Sequence, residues 1–327
     1  MSQADDGGVG EMTNGQTAAG HAEPANRMKT GGIIMRRPRL RTVLIGAGAA
    51  LALVAGGTAA YPASGSVGSR PTPSMLKVIR QPVISKRLLA PAAKAPGGMP
   101  LFQSGNWAGY LALPGGSTTS FKQVVADYTV PSANCNGGGV GTGDAFAYHW
   151  IGLDGWGDGT VEQDGVADFC EGGTASYYAW WEMFPNGINL VFQVSPGDAI
   201  TSRVTYDGSG IYTLYLLDYT SGQSFNLTES CPTSCSNKSA EDITEGYSTG
   251  PWLGTLDYAR EFYNAFQAIN QSGTRGGIAS NAWSDGAVEA IGATSGQVTS
   301  NPGALYSSTG TAGGPRSAFE TKWSRVN

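Results

Sequence analysis

From Asn106 onward the chain alternates apolar and polar residues with period two, and Gly, Pro, Asn or Asp interrupts the alternation every few residues. "NWAGYLAL", "FKQVVADYTVP", "AFAYHWIGLDG", "VEQDGV", "SYYAWWEMFP", "NLVFQV", "AITSRVTYDG", "IYTLYLLDYT", "QSFNLTES", "SAEDITEGY", "AVEAIGA" and "AFETKWSRV" each read as a strand bounded by turn residues. A period of two buries one face of a strand and no face of a helix, so the chain is predicted to be all-β, as a two-sheet sandwich or a barrel. One stretch, "DYAREFYNAFQAI", fits a short helix or a long strand equally well. Composition agrees with short strands and many turns: 327 residues contain Gly 49 and Pro 17, with only 14% charged residues.

The N-terminal third has a different character. Residues 35–60, "MRRPRLRTVLIGAGAALALVAGGTAA", combine a basic start, an apolar run and small residues at Thr58-Ala59-Ala60, the pattern of a cleaved secretory signal. An uncleaved anchor over Thr42 to Ala60 is the alternative, but Gly and Ala leave that run weakly hydrophobic. Residues 1–34 are a polar extension set aside from the fold, with Met28 or Met35 as alternative starts. Residues 61–99 are Pro-rich, carry Arg70, Lys77, Arg80, Lys86, Arg87 and Lys94, and contain no acid. They read as a linker or an intramolecular propeptide.

Residues 100–327 reverse that charge, with 8 Lys/Arg against 21 Asp/Glu and a formal charge of −13. Phosphate contacts need cations, so nucleic acid is excluded as a partner. No stable membrane association is expected once the signal is removed, and the product is expected to be a secreted, extracellular monomer. Few bases limit positive self-repulsion at low pH, which suits acidic surroundings. A basic propeptide facing an acidic domain also suggests a latch that weakens as carboxylates protonate.

Cys135, Cys170, Cys231 and Cys235 are even in number and suit two disulfides in a secreted domain, with three pairings open. No C-x-x-C pair occurs, and His149 is the single histidine of residues 100–327. A structural zinc site wants four closely spaced Cys or His ligands, so no metal is expected.

Alternation also sorts side chains by face. Tyr178, Trp180, Glu182 and Phe184 share one face, and Tyr177, Ala179, Trp181 and Met183 the other. Glu241, Ile243 and Glu245 lie together, opposite Asp242 and Thr244. Tyr148, Trp150, Gly152 and Asp154 line up. A strand Glu is ordinarily solvated and a sandwich Trp ordinarily core. Three strands that each set an aromatic or apolar residue beside a polar one predict instead an aromatic-lined cleft across a sheet.

Several chemistries fall away. Gly246-Tyr247-Ser248-Thr249-Gly250 fits the G-x-S-x-G nucleophile pattern, but the parallel strand–helix alternation is missing and His149 precedes the serine. One histidine removes the HExxH metalloproteases, and no Asp-Thr-Gly or Asp-Ser-Gly is present. Carboxylate chemistry remains. Glycoside hydrolysis is one form of it, but Glu241 and Glu245 stand roughly 13 Å apart on a regular strand. Glycosidase carboxyl pairs stand about 5–9.5 Å apart, so either a bulge shortens that strand or a neighbouring strand supplies the partner, Glu182 for one. An aromatic cleft would also suit a carbohydrate-binding module.

"NWAGY" (106–110), "HWIGLDG" (149–155), "VEQDG" (161–165), "YYAWWEMFP" (177–185) and "SAEDITE" (239–245), in that order, resemble the glutamic peptidases, or eqolisins. A looser match falls at "AFETKWSR". The resemblance implies a sandwich of two antiparallel sheets, concanavalin A-like or jelly-roll-like, one of them curved so that its concave face holds a cleft for protein or peptide substrates. It implies endopeptidase activity without a cofactor and a Gln/Glu catalytic pair, which falls on Gln163 and Glu245. Trp150, Asp154, Trp180 and Glu182 match cleft positions, Trp107 matches the aromatic near the start, and Glu241 is counted with the substrate-binding residues. Two positions depart from the family pattern: Asp242 stands where Trp is usual, and Ala167 where an acid is usual, with Asp168 next to it. These departures raise the alternative of an inactive homologue.

An amide does not titrate, so in acid Gln163 can still donate N–H to an oxyanion. An ionised Glu245 would take a proton from water and return it to the leaving nitrogen. Its unperturbed pKa of about 4.3 would suit work near pH 3 to 5.

Overall fold

Every alternating segment forms a strand, and the described residues contain no helix. The computed structural model describes residues 93–95, 98–136, 145–246, 257–258, 261–292, 297–307 and 317–323. The chain separates into Met1–Ala63 and Ser64–Asn327, and the strands belong to the second unit. The extension 1–34, the signal 35–60, residues 61–92 and the serine of the G-x-S-x-G match lie outside the described residues.

The main strands are β1 (Pro100–Ser104), β2 (Trp107–Leu113), β3 (Phe121–Thr129), β4 (Ala145–Asp154), β5 (Val161–Glu171), β6 (Thr174–Phe184), β7 (Asn189–Gln193) and β8 (Ala199–Tyr206). They continue with β9 (Ile211–Asp218), β10 (Ser224–Ser230), β11 (Ala240–Gly246), β12 (Glu261–Asn270), β13 (Ser284–Ile291), β14 (Val298–Pro302) and β15 (Phe319–Trp323). One sheet runs β13–β2–β11–β4–β5–β6–β7, antiparallel throughout, with β1 added parallel to β13. The other runs β10–β9–β8–β3–β12–β15, also antiparallel. β14 pairs with β13 and with β15, joining the two sheets along one side. The fold is an antiparallel two-sheet β-sandwich.

The ambiguous "DYAREFYNAFQAI" resolves as strand. Phe266 and Ala268 of β12 are buried in the core while Gln267 and Ile269 are half-buried, and the strand pairs with β3 along most of its length. Ala93–Lys94, at the end of the segment expected as propeptide, pairs with Leu101 and Pro100, and Ala95 and Met99 beside it are buried.

The inter-sheet core is filled from the first sheet by Tyr110, Ile151, Leu153, Val166, Ala179 and Met183, and from the second by Val124, Tyr128, Val204, Leu214, Leu216 and Phe266. The first sheet is also buried on its other face, where Trp107, Leu111, Tyr148, Trp150, Tyr178, Trp180 and Ile243 form a separate aromatic cluster. β4 is therefore buried over its whole length.

Burial on both faces carries polar residues inward. Register sets Asp242 and Asp164 beside Ile151, Glu162 beside Leu153, and His149 beside Val166, all on the inter-sheet side and all 0% exposed. Asp164 Oδ2 accepts the Tyr215 backbone N–H of β9 at 3.0 Å, and His149 Nε2 pairs with Asp168 Oδ1 at 2.7 Å. Of the three open cysteine pairings, the structure has Cys135–Cys170 and Cys231–Cys235. The first ties the segment after β3 to the end of β5.

Candidate active site

Register assembles the site in three rows across β2, β11, β4, β5 and β6. Trp107, Glu245, Tyr148, Ala167 and Tyr178 form one row, and Gly109, Ile243, Trp150, Gly165 and Trp180 the next. Leu111, Glu241, Gly152, Gln163 and Glu182 form the third. Glycine is required in the middle. A Cβ on Gly165 would lie 2.1 Å from the His149 carbonyl oxygen and 2.8 Å from Trp150 Cα, so β4 and β5 approach too closely for any side chain there.

Glu245 is held from both sides. Trp150 Nε1 donates to its Oε2 at 3.0 Å and Asn106 Nδ2 donates to its Oε1 at 2.7 Å. Trp107 and Trp150 meet edge to face at 5.1 Å, a contact worth about 0.5–1.5 kcal/mol beyond burial, which fixes the indole that carries the N–H. Burial pushes the Glu245 carboxyl up to about 7, against the opposing pull of Trp150, Trp107 and Asn106.

Gln163 is 5% exposed and donates through Nε2 to Glu182 Oε2 at 2.7 Å. Its Oε1 has no hydrogen-bond partner among the described residues. Burial, and then the charge of Glu245, push Glu182 up to about 8, with the Gln163 bond acting the other way. The Tyr148 phenol is held well above its ordinary range by burial, then by Glu182 and Glu245. Glu182, Tyr148 and Glu245 therefore act on one another electrostatically across the sheet face that carries Gln163. Tyr148 and Trp180 pack edge to face at 5.3 Å within the same face.

Two residues expected on the cleft are engaged elsewhere. Asp154 ends β4 with φ 66° and is 0% exposed. Its carboxylate accepts from the Ser236 backbone N–H at 2.7 Å, the Ser236 hydroxyl at 2.7 Å and the Lys238 N–H at 2.8 Å, so it anchors the segment leading into β11. The left-handed turn of the backbone at Asp154 takes it out of the alternation that placed it with Trp150. Glu241 keeps its place on the Glu245 face but is 0% exposed. Burial holds it well above the usual carboxylate range, with Ser239 lowering it and Asp154, Asp158 and Glu162 raising it. β11 pairs without a register shift on either side, so no bulge draws Glu241 towards Glu245 as a glycosidase pair would need.

Asp154, Glu162 and Cys235 bring ligand atoms within 4.8 Å of one another. Cys235 is disulfide-bonded and Asp154 is saturated by Ser236 and Lys238, so these residues do not suit a cation. The two departures from the family pattern also find places. Asp242 lies between the sheets, and Ala167 lies in the Glu245 row between Tyr148 and Tyr178.

Sequence reasoning set Tyr148 on the cleft face without giving it a role, and passed over Asn106 as a site residue. Asn before a strand is an ordinary turn residue, and only the register brings Asn106 to Glu245.

The chain matches the Peptidase A4 family over residues 105–308 and belongs to that family, the glutamic peptidases or eqolisins. Aspergillopepsin-2 of Aspergillus niger is 33% identical over 177 residues, which is 46% of this chain and 58% of that protein. The chain thus spans a little over half the length of this relative. Scytalido-glutamic peptidase, solved with a peptide-based transition-state analogue, superposes with a TM-score of 0.53 at 19% identity over 67% of this chain and 98% of the other. SCP-B, an eqolisin solved with the tripeptide Ala-Ile-His, gives a TM-score of 0.51 at 19% identity over the same shares. These two structures share the fold.

Proposed function

We propose that this chain is a secreted endopeptidase that hydrolyses peptide bonds in proteins with Gln163 and Glu245 as its catalytic pair. The observation that carries the reading is the preparation of both side chains on one aromatic-lined face: Glu245 oriented by two neutral donors, and Gln163 oriented by Glu182. Ionised Glu245 removes a proton from water as the water oxygen bonds to the scissile carbonyl carbon. Charge moves to the carbonyl oxygen, where the second Nε2–H of Gln163 stabilises it; the first is spent on Glu182. Protonated Glu245 then gives its proton to the leaving nitrogen as the C–N bond breaks. Neither a nucleophilic side chain nor a histidine takes part.

The pH dependence follows from the site. Burial sets Glu245 at about 7, so its base form declines about tenfold per pH unit below that value. The rising limb of activity lies higher than an unperturbed glutamate gives and is centred on about pH 7. Glu182, set at about 8, is mostly neutral there and receives the Gln163 N–H on a carboxyl oxygen.

The test is hydrolysis of a denatured protein by the full chain between about pH 2 and 8, beside Glu245→Gln. Cleavage that rises towards neutrality and drops by about 10²–10⁴-fold in the variant is the expected result. A folded wild type that cleaves nothing at any pH contradicts the reading and favours carbohydrate binding on the same aromatic face.

A further inference from the structure

Asn106 lies one residue before β2, is 2% exposed, and takes no proton and touches no reacting atom in the proposed chemistry. Its amide is nonetheless fixed at both ends. The Ser104 hydroxyl donates to Asn106 Oδ1 at 3.1 Å, which leaves Nδ2 as the end that faces Glu245 Oε1 at 2.7 Å. Ser104 is held in turn, since its Oγ accepts the backbone N–H of Asn106 at 3.3 Å and of Trp107 at 3.2 Å. The Asn106 carbonyl accepts the Gly246 N–H at 2.8 Å, so the residue also ties down the chain directly after Glu245.

We propose that Asn106 is a positioning residue: its amide, oriented by Ser104, locks the Glu245 carboxylate in one rotamer and favours its ionised form. The proposal rests on the reading of Glu245 as the base.

An amide suits this position because it donates at every pH and adds no charge to a face that already holds Glu182 and Tyr148, the titratable groups that bear on Glu245. A Lys there would pair with Glu245 too strongly for the carboxylate to act as a base near neutrality. A hydrophobic residue would leave Oε1 without that donor, and the half-buried setting of Glu245 would then favour the neutral acid. With Trp150 on Oε2 and Asn106 on Oε1, each oxygen keeps one lone pair for water, and the carboxyl plane is fixed by two bonds, one from β4 and one from the residue before β2. Such a site reaches its reactive geometry without reorganisation.

The experiment uses the full chain with Asn106→Ala, the near-isosteric Asn106→Asp, and Ser104→Ala. Two pH titrations are followed, kcat/KM and the 15N–1H resonance of the Trp150 indole, assigned by its loss in Trp150→Phe; this N–H is bonded to Glu245 and reports its ionisation. Removing one donor to a half-buried carboxylate should move the midpoint of both titrations upward by about one pH unit in Asn106→Ala. Ser104→Ala, which lets the amide turn its oxygen to Glu245, should move them in the same direction. In Asn106→Asp the single step should split in two as the carboxyls share a proton.

A uniform loss of kcat/KM with the indole midpoint unmoved in all folded variants would mean a merely structural role and overturn the proposal. Should Asn106→Ala fail to fold, Asn106→Asp and Ser104→Ala decide the matter by the same midpoint. If the wild type cleaves nothing, the catalytic reading falls, while the indole titration still reports whether Asn106 governs Glu245.

Discussion

Gln163 and Glu245 divide the labour along a simple physical line: one side chain cannot titrate, and the other must. The amide keeps its donors at any pH, whereas burial decides when the carboxyl is a base. Glu182 stands between these roles. Its bond to Gln163 Nε2 needs only an acceptor oxygen, which a glutamine also offers. Glu182→Gln should therefore retain kcat/KM within about tenfold on the acid side of neutrality, since an oxyanion donor is worth about 10²–10³-fold and its orientation is preserved. It should also remove whatever decline follows the ionisation of Glu182 near about 8. A loss as deep as that of Glu245→Gln, read from the pH profile, would move Glu182 from positioning into the chemistry.

At the scale of the strand, alternation made much of the site legible. β11 carries Glu245 and Ile243 on the aromatic face and Asp242 between the sheets, as period two requires. β6 likewise splits Tyr178 and Trp180 from Tyr177 and Met183. Three things were not legible, each for a physical reason. Asp154 leaves its row because its backbone takes a left-handed conformation, a choice a non-glycine residue rarely makes and its own side chain stabilises through Ser236 and Lys238. His149 of β4 and Glu162, Asp164 and Asp168 of β5 are not solvated, because they lie between the sheets while aromatic side chains cover the opposite face, which leaves these strands no face for water. Asn106 reaches Glu245 across a separation of 139 residues, a contact set by the β2–β11 register and by nothing local.

For the molecule as a whole, buried carboxyls set the conditions under which the sandwich is stable. Burial raises Glu162 to about 10, Glu182 to about 8 and Glu245 to about 7, and holds Asp164 and Glu241 well above the usual range. A folded value above the unfolded one means that stability is fully present below about pH 4.5 and is lost as pH rises towards the folded values, at about 1.4 kcal/mol per unit and group. The thermal midpoint of the full chain should thus be highest in acid and fall through neutrality. Glu162→Gln should flatten that fall, and an unchanged slope in calorimetry against pH would show that Glu162 does not contribute. Activity and stability then overlap on the acid side of neutrality, where the fold persists and part of Glu245 is ionised. The claim beneath all of this is that Gln163 and Glu245 act as one catalytic unit, and the most direct test is a double-mutant cycle on kcat/KM in the full chain, with circular dichroism to verify folding. Residues that act together are strongly non-additive, so Gln163→Ala with Glu245→Gln should cost little more than the worse single change. Losses that multiply, or a single variant that keeps wild-type activity, would contradict the account.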